Sequence, residues 1–190
     1  MSNKLEGKKV AILATNGFEQ SELFEPKKAL EEAGAEVVIV SLKSGEIKGW
    51  DETDWGKSIA VDITLDDTIP ETYDALVLPG GVMNPDKLRV DEKAVNFVKS
   101  FFDEGKPVGA ICHAPWTLIN AGVVKGKKMT SFASIQKDLE NAGAEWMDME
   151  VVTDNGLVTS RKPDDLPAFN DKLIEEIAEG VHNRQKSANS

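Results

Sequence analysis

Short apolar runs, many of them β-branched, alternate along this chain with longer segments in which apolar positions recur at helical spacing. Val10-Ala11-Ile12-Leu13, Val37-Val38-Ile39-Val40, Ala75-Leu76-Val77-Leu78 and Val108-Gly109-Ala110-Ile111 contain no polar position, the pattern of strands covered on both faces. Between the first two runs, Leu23, Leu30 and Ala33 share one face of a helix that stops at Gly34, a residue suited to the left-handed cap. Glu92 to Glu104 repeats the arrangement, with Val95, Val98 and Phe102 as the predicted buried stripe and Gly105 as the stop. Ile135 to Ala142 predicts a short helix ending at Gly143, and Leu166 to Glu179 a final one carrying Phe169, Leu173 and Ile177 at fourfold spacing. Val151 to Asp154 and Leu157 to Ser160, joined by Asn155-Gly156, predict a hairpin. Strands alternating with helices in this way predict an α/β fold, its strands parallel and its helices the crossovers.

Two segments fall outside the pattern. Gly49 to Lys57 is too charged for a core and too aromatic for a plain linker, and is expected to be an exposed loop whose tryptophans pack locally. Residues 1–180 are expected to form one domain, and residues 181–190 a flexible polar tail. A hydrophobic share of 41% with 29% charged residues is that of a globular protein. No apolar run approaches the roughly 20 residues that span a bilayer, so no membrane role is expected. The start, MSNKLEGKKV, has no secretory stretch, and a single cysteine makes no internal disulfide, which together predict a cytoplasmic protein. A net charge of −11 argues against nucleic acid as a partner, because that binding draws on clustered lysine and arginine.

The candidate chemistry centres on Cys112. It follows an apolar strand and has alanine two residues away on each side, Ala110 and Ala114, as a sharp strand-to-helix elbow requires. A helix starting near Pro115 is expected to turn its positive end towards the thiol and lower its pKa. Leu78-Pro79-Gly80-Gly81-Val82 ends another strand, and backbone amides of Gly80, Gly81, Val82 and His113 are candidates for an oxyanion hole. Glu19 and Glu22 lie where the first long helix begins. One of them can reach the strand ends and, protonated beside the sulfur, shuttle a proton, while the other supports the helix start. Side chains adjacent on a turn usually diverge, so His113 is not assigned as the base for Cys112 from sequence alone. With His113 and His182 as the only histidines no metal cluster is expected, and His182-Asn183-Arg184 does not supply the His-x-Glu of a glutamine amidotransferase.

Taken together, Ala110-Ile111-Cys112-His113-Ala114-Pro115, Gly17-Phe18-Glu19 with Glu22, Leu78-Pro79-Gly80-Gly81, Asn141 to Trp146 and Val158 to Phe169 resemble the ThiJ/PfpI superfamily, most closely its PfpI branch. The likeness runs over nearly the whole chain. It implies a flavodoxin-like three-layer sandwich with a mostly parallel central sheet, Cys112 as nucleophile, Glu22 as its neighbouring carboxyl and no cofactor. It also implies a homodimer or higher homo-oligomer, in which Asp86, where the family commonly has glutamate, approaches His113 from a neighbouring subunit. Three activities remain open on this resemblance: a glyoxalase III or deglycase acting on small reactive dicarbonyls or glycated protein, an intracellular cysteine peptidase acting on unfolded protein, and a redox-sensing or chaperone-like stress protein. The residues favour the first, because a thiolate with an adjacent protonatable carboxyl suffices for it.

Overall fold

A computed structural model of the chain describes residues 3–183. From the amino terminus, β1 (Lys9–Leu13) leads through β2 (Phe18–Glu19) into α1 (Gln20–Glu32), followed by β3 (Glu36–Ser41), β4 (Glu46–Asp51), β5 (Asp54–Ala60) and β6 (Ile63–Thr64). Next come β7 (Ala75–Leu78), α2 (Met83–Leu88), α3 (Glu92–Glu104), β8 (Val108–Ile111) and α4 (Pro115–Asn120). The last third contributes β9 (Lys128–Met129), α5 (Gln136–Asn141), β10 (Glu145–Trp146), β11 (Val152–Asp154), β12 (Leu157–Ser160) and α6 (Leu166–Glu179).

Seven strands form the central sheet in the order β11-β12-β8-β7-β1-β3-β6, and only the β11–β12 pair is antiparallel. Counting the five principal strands β1, β3, β7, β8 and β12 in chain order gives 2-1-3-4-5, the flavodoxin-like winding. Its strand order reverses between β1 and β7, and the crevice beyond the carboxyl ends of those strands is where such sheets bind ligands. The strands bury both faces, as their unbroken apolar runs require. Ala11, Leu76 and Val108 face a core closed by Phe97, Val98, Phe101 and Phe102 of α3, while Val10, Ile12 and Val77 face a second core closed by Leu23 and Leu30 of α1 and Phe169, Leu173 and Ile177 of α6. Two helical layers on one sheet make the three-layer sandwich.

The four predicted runs are strands, and the α3 and α6 boundaries fall where the sequence puts them. Asn155 and Gly156 take φ of 47° and 91°, the left-handed pair of a tight hairpin turn. Four details differ. The stripe of α3 is broader than expected, burying Ala94, Phe97 and Phe101 as well, with Val95 at its half-buried margin. The predicted helix from Ile135 opens with a 3-10 turn over Ala133–Ile135 before α5. Gly49 to Lys57 is not a loop: it belongs to β4 and β5, an antiparallel hairpin that pairs through β4 with β2 in a separate three-stranded sheet. Of the expected tail, residues 184–190 lie outside the described residues, and the His182 N–H donates to the Gly105 carbonyl at 2.7 Å. Among the described residues no helix is long and apolar enough to cross a membrane.

Candidate functional site

The chain turns sharply at the carboxyl end of β8. Cys112 has φ of 63°, in the left-handed region that costs a residue with a Cβ about 1 kcal/mol or more. Hydrogen bonds on both sides hold it there: the Cys112 N–H donates to the Ser160 carbonyl at 3.1 Å, and the Phe132 N–H to the Cys112 carbonyl at 2.9 Å. Pro115 then opens α4, where a missing N–H leaves no hydrogen bond unmade.

Glu22 sits in the first turn of α1 with no exposed surface. The Gly80 N–H donates to its Oε2 at 2.9 Å, and its Oε1 is buried without a hydrogen-bond partner. Burial, reinforced by the charge of Glu19, raises this carboxyl to about 8. Gly80 separates it from the nucleophile. A side chain there would meet Glu22 Oε2, Cys112 Cβ at 2.5 Å and the Ile111 carbonyl at 2.6 Å. Gly81 follows at φ of 76°, packed against the backbone of Gly17 and Glu19. The turn is pinned by Asn84, fully buried at the start of α2: its Oδ1 accepts from the Thr15 N–H at 2.8 Å, and its Nδ2 donates to the carbonyls of Pro79 and Gly80. Since the Gly80 N–H serves Glu22, the amides left facing the sulfur are those of Gly81 and His113, which favour its anion. Val82 stands at the exposed rim as the N-cap of α2.

His113 does not diverge from its neighbour. Its Nδ1 lies 3.1 Å from Cys112 Sγ, its Nε2 lies 3.0 Å from Ser134 Oγ, and its ring stacks on Phe132 with centroids 4.8 Å apart. Burial lowers its pKa and keeps the imidazole neutral. An Nε2–H donated to Ser134 leaves Nδ1 as the acceptor facing the thiol. The expected fall in the thiol pKa is not what the site produces. Burial raises it, the charge of Glu22 raises it further, and α4 is only six residues long. Asp86 is exposed on α2 and has no side-chain partner among the described residues; within one chain it does not meet His113.

Glu22, Gly81, Cys112 and His113 line a crevice of about 380 Å³ together with Gly17, Glu19, Trp50, Glu52, Val82, Met83, Phe132 and Pro163. Glu19 ends β2 as the N-cap of α1, half-buried, and burial raises its carboxyl, partly offset by the polarity of the nearby Glu52 backbone amide. A larger, shallower groove lies between α1 and α6, with no nucleophile or imidazole in its lining. Away from the crevice, Glu176, Glu179 and His182 bring side-chain oxygen and nitrogen atoms within 4.8 Å of one another. His182 bonds to Gly105, which precedes β8, so the cluster lies towards the amino end of that strand and the crevice at its carboxyl end. Sequence reasoning gave no role to Asn84, Phe132, Ser134 or Pro163: Pro163 lies within a segment that carries the family resemblance, but all four reach the site only through tertiary placement. Trp50 had a signal, an aromatic in a charged segment, but no pattern that placed it.

The model of the DJ-1/PfpI family matches residues 8–176. Deglycase PfpI of Pyrococcus furiosus is 48% identical over 161 residues, covering 85% of this chain and 94% of that protein. Protein/nucleic acid deglycase 2 of Escherichia coli is 47% identical over 169 residues, covering 88% and 96%. Among solved structures, Drosophila melanogaster DJ-1beta superposes with a TM-score of 0.82 at 29% identity, covering 98% of this chain and 94% of that one. An elbow cysteine, a buried carboxyl across a glycine and a match along most of the chain agree: this chain belongs to the DJ-1/PfpI family.

Proposed function

We propose that this protein is a cysteine-dependent deglycase and glyoxalase, acting on methylglyoxal, glyoxal and their early adducts with protein side chains. The observation that carries this reading is Glu22, a buried carboxyl held near neutrality one glycine away from Cys112. The names of the deglycase relatives support it.

On this reading Cys112 Sγ attacks the aldehyde carbon while its proton passes to His113 Nδ1, giving a hemithioacetal. For an amine adduct the same carbon–sulfur bond replaces the carbon–nitrogen bond, and the amine leaves with a proton. The amides of Gly81 and His113 face the sulfur and the developing oxygen charge. Protonated Glu22 then gives its proton to the ketone oxygen and takes the one on C1. The resulting enediol regains a proton at C2 from Glu22 as its C1 hydroxyl proton returns to the carboxylate, so that C1 is oxidised to a thioester and the neighbouring ketone reduced to an alcohol. Water cleaves the thioester to a hydroxy acid and returns the thiol. The net reaction consumes one water and needs no external oxidant or reductant.

A peptidase reading draws on the 3.1 Å contact between Cys112 and His113, which supplies an acid for a leaving amine. In both readings the active form is a homodimer or larger homo-oligomer, in which the partner subunit's Asp86 orients His113. The discriminating experiment compares wild type, Cys112→Ser and Glu22→Gln on methylglyoxal, on methylglyoxal-treated Nα-acetylarginine and on an unfolded protein. Lactate release by wild type, with both variants down by at least about 100-fold, is the expected outcome. Cleavage of the unfolded protein without lactate from either small substrate would give the peptidase reading instead.

A further inference from the structure

We infer that the β4–β5 hairpin makes the crevice selective for adducts carrying a positive charge, arginine-derived ones foremost, over neutral and phosphate-bearing ones. This rests on the deglycase reading and names its substrate class.

The crevice lining contains three carboxyl groups, Glu19, Glu22 and Glu52, and no lysine or arginine. Glu22 is the deep one, and its unpartnered Oε1 is a fully buried polar atom in the same crevice. Glu19 and Glu52 stand further out, with Asp51 close enough that Glu19 feels the charge of both hairpin acids. Arg161 and Lys162, beside Pro163 of the lining, pair with Asp165, Asp148 and Asp164, and Lys48 and Lys57 of the hairpin are not among the lining residues. A phosphate entering here would meet carboxylates and no cation.

The hairpin adds an aromatic wall. Trp50 packs edge-to-face on Trp55 with centroids 5.5 Å apart, and its Nε1–H donates to the Glu52 carbonyl at 3.0 Å, so ring and tip are held together. Strand β2 pairs with β4 in the register Glu19↔Trp50, fastening the hairpin to the crevice. A planar guanidinium stacks on aromatic faces and pairs with carboxylates through its fork of donors. With the adduct carbon at Cys112, the guanidinium lies outward, towards Glu19, Trp50 and Glu52.

Two measurements test this on the full chain. Turnover is compared on methylglyoxal adducts of Nα-acetylarginine amide, N-acetylcysteine amide and guanosine monophosphate, for wild type and Glu52→Lys, at low and high salt. Separately, protection of Cys112 from alkylation is compared for Nα-acetylarginine amide and its neutral isostere Nα-acetylcitrulline amide. We expect the cationic adduct to be the best substrate, the cationic-to-neutral ratio of kcat/KM to fall about tenfold in Glu52→Lys and to shrink with salt, and arginine to protect better than citrulline. A ratio unmoved by both the substitution and salt, or equal protection by arginine and citrulline, would overturn the inference. Turnover of none of the adducts, with preferential protection by arginine retained, would overturn the deglycase reading and leave the cation preference standing.

Discussion

At the scale of single residues the site is a problem of protons held out of water. Glu22 and Cys112 are buried side by side, and burial disfavours the charged form of each. Glu22 keeps its proton up to about pH 8 in the folded chain, whereas a glutamate in the unfolded chain loses it near 4.5. The native state therefore binds more protons across that window, and stability falls as pH rises through it. Replacing Glu22 by Gln removes this loss, so the melting temperature of Glu22→Gln relative to wild type should climb between about pH 4.5 and pH 8 and level off above. The same substitution removes the Glu22 charge, which with burial raises the Cys112 pKa. Alkylation of Cys112 against pH should show a wild-type midpoint above about 8.5 and a lower one in Glu22→Gln. A thiol made more reactive while lactate production is lost would separate nucleophile from proton shuttle; unchanged melting and alkylation profiles would remove Glu22 from the pair. Cys112 and the glycine pair were legible because elbow and turn chemistry is local, whereas Glu22 was told from Glu19 only through the family resemblance. The direction of the thiol shift was not, since it depends on how much protein closes over the sulfur.

At the scale of elements, glycine at position 80 answers a question of space rather than of backbone freedom. Its φ is not in the left-handed region, unlike that of Gly81, yet a Cβ would fall among Glu22, Cys112 and Ile111. Gly80→Ala should cost about 1–3 kcal/mol in urea unfolding, as overpacking does, and should abolish turnover by wedging the carboxyl from the sulfur. Full activity in a folded Gly80→Ala protein would mean that Glu22 need not lie against Cys112. The strands around this turn were readable to the residue because each must be apolar on both faces. The β4–β5 hairpin was not, for a physical reason: it pairs with β2 outside the central sheet, so neither of its faces has to be continuously apolar. Its tip, Glu52 at φ of 55°, also lacks the Asn-Gly type of signal that made the β11–β12 turn legible. The element that lines the crevice is thus the one whose sequence is least constrained by the core.

For the whole molecule the open question is whether one chain completes the site. Within the chain His113 Nε2 faces Ser134 Oγ, a neutral hydroxyl that can donate or accept and does little to stabilise an imidazolium. Asp86 has no side-chain partner among the described residues and lies on α2, near an exposed surface that includes Val82 and Val90 at 54% and 77% exposure. If the partner subunit's Asp86 reaches His113, it adds the charge that Ser134 lacks, and the reacting groups of each site come from two chains. Mixing makes this measurable. Cys112→Ser lacks the nucleophile and Asp86→Ala lacks the contributed acid, so each homo-oligomer should be weak or inactive. In a mixed dimer one site takes Cys112 and His113 from the Asp86→Ala chain and Asp86 from the Cys112→Ser chain, and is whole; the other is doubly defective. Random reassociation of equal amounts of two such dimers should restore about a quarter of wild-type turnover, because half the dimers are mixed and each has one good site. The same stocks mixed without subunit exchange should show no gain. No recovery after verified exchange, or full activity in Asp86→Ala alone, would return the whole site to a single chain, with Ser134 as the only partner of His113 Nε2.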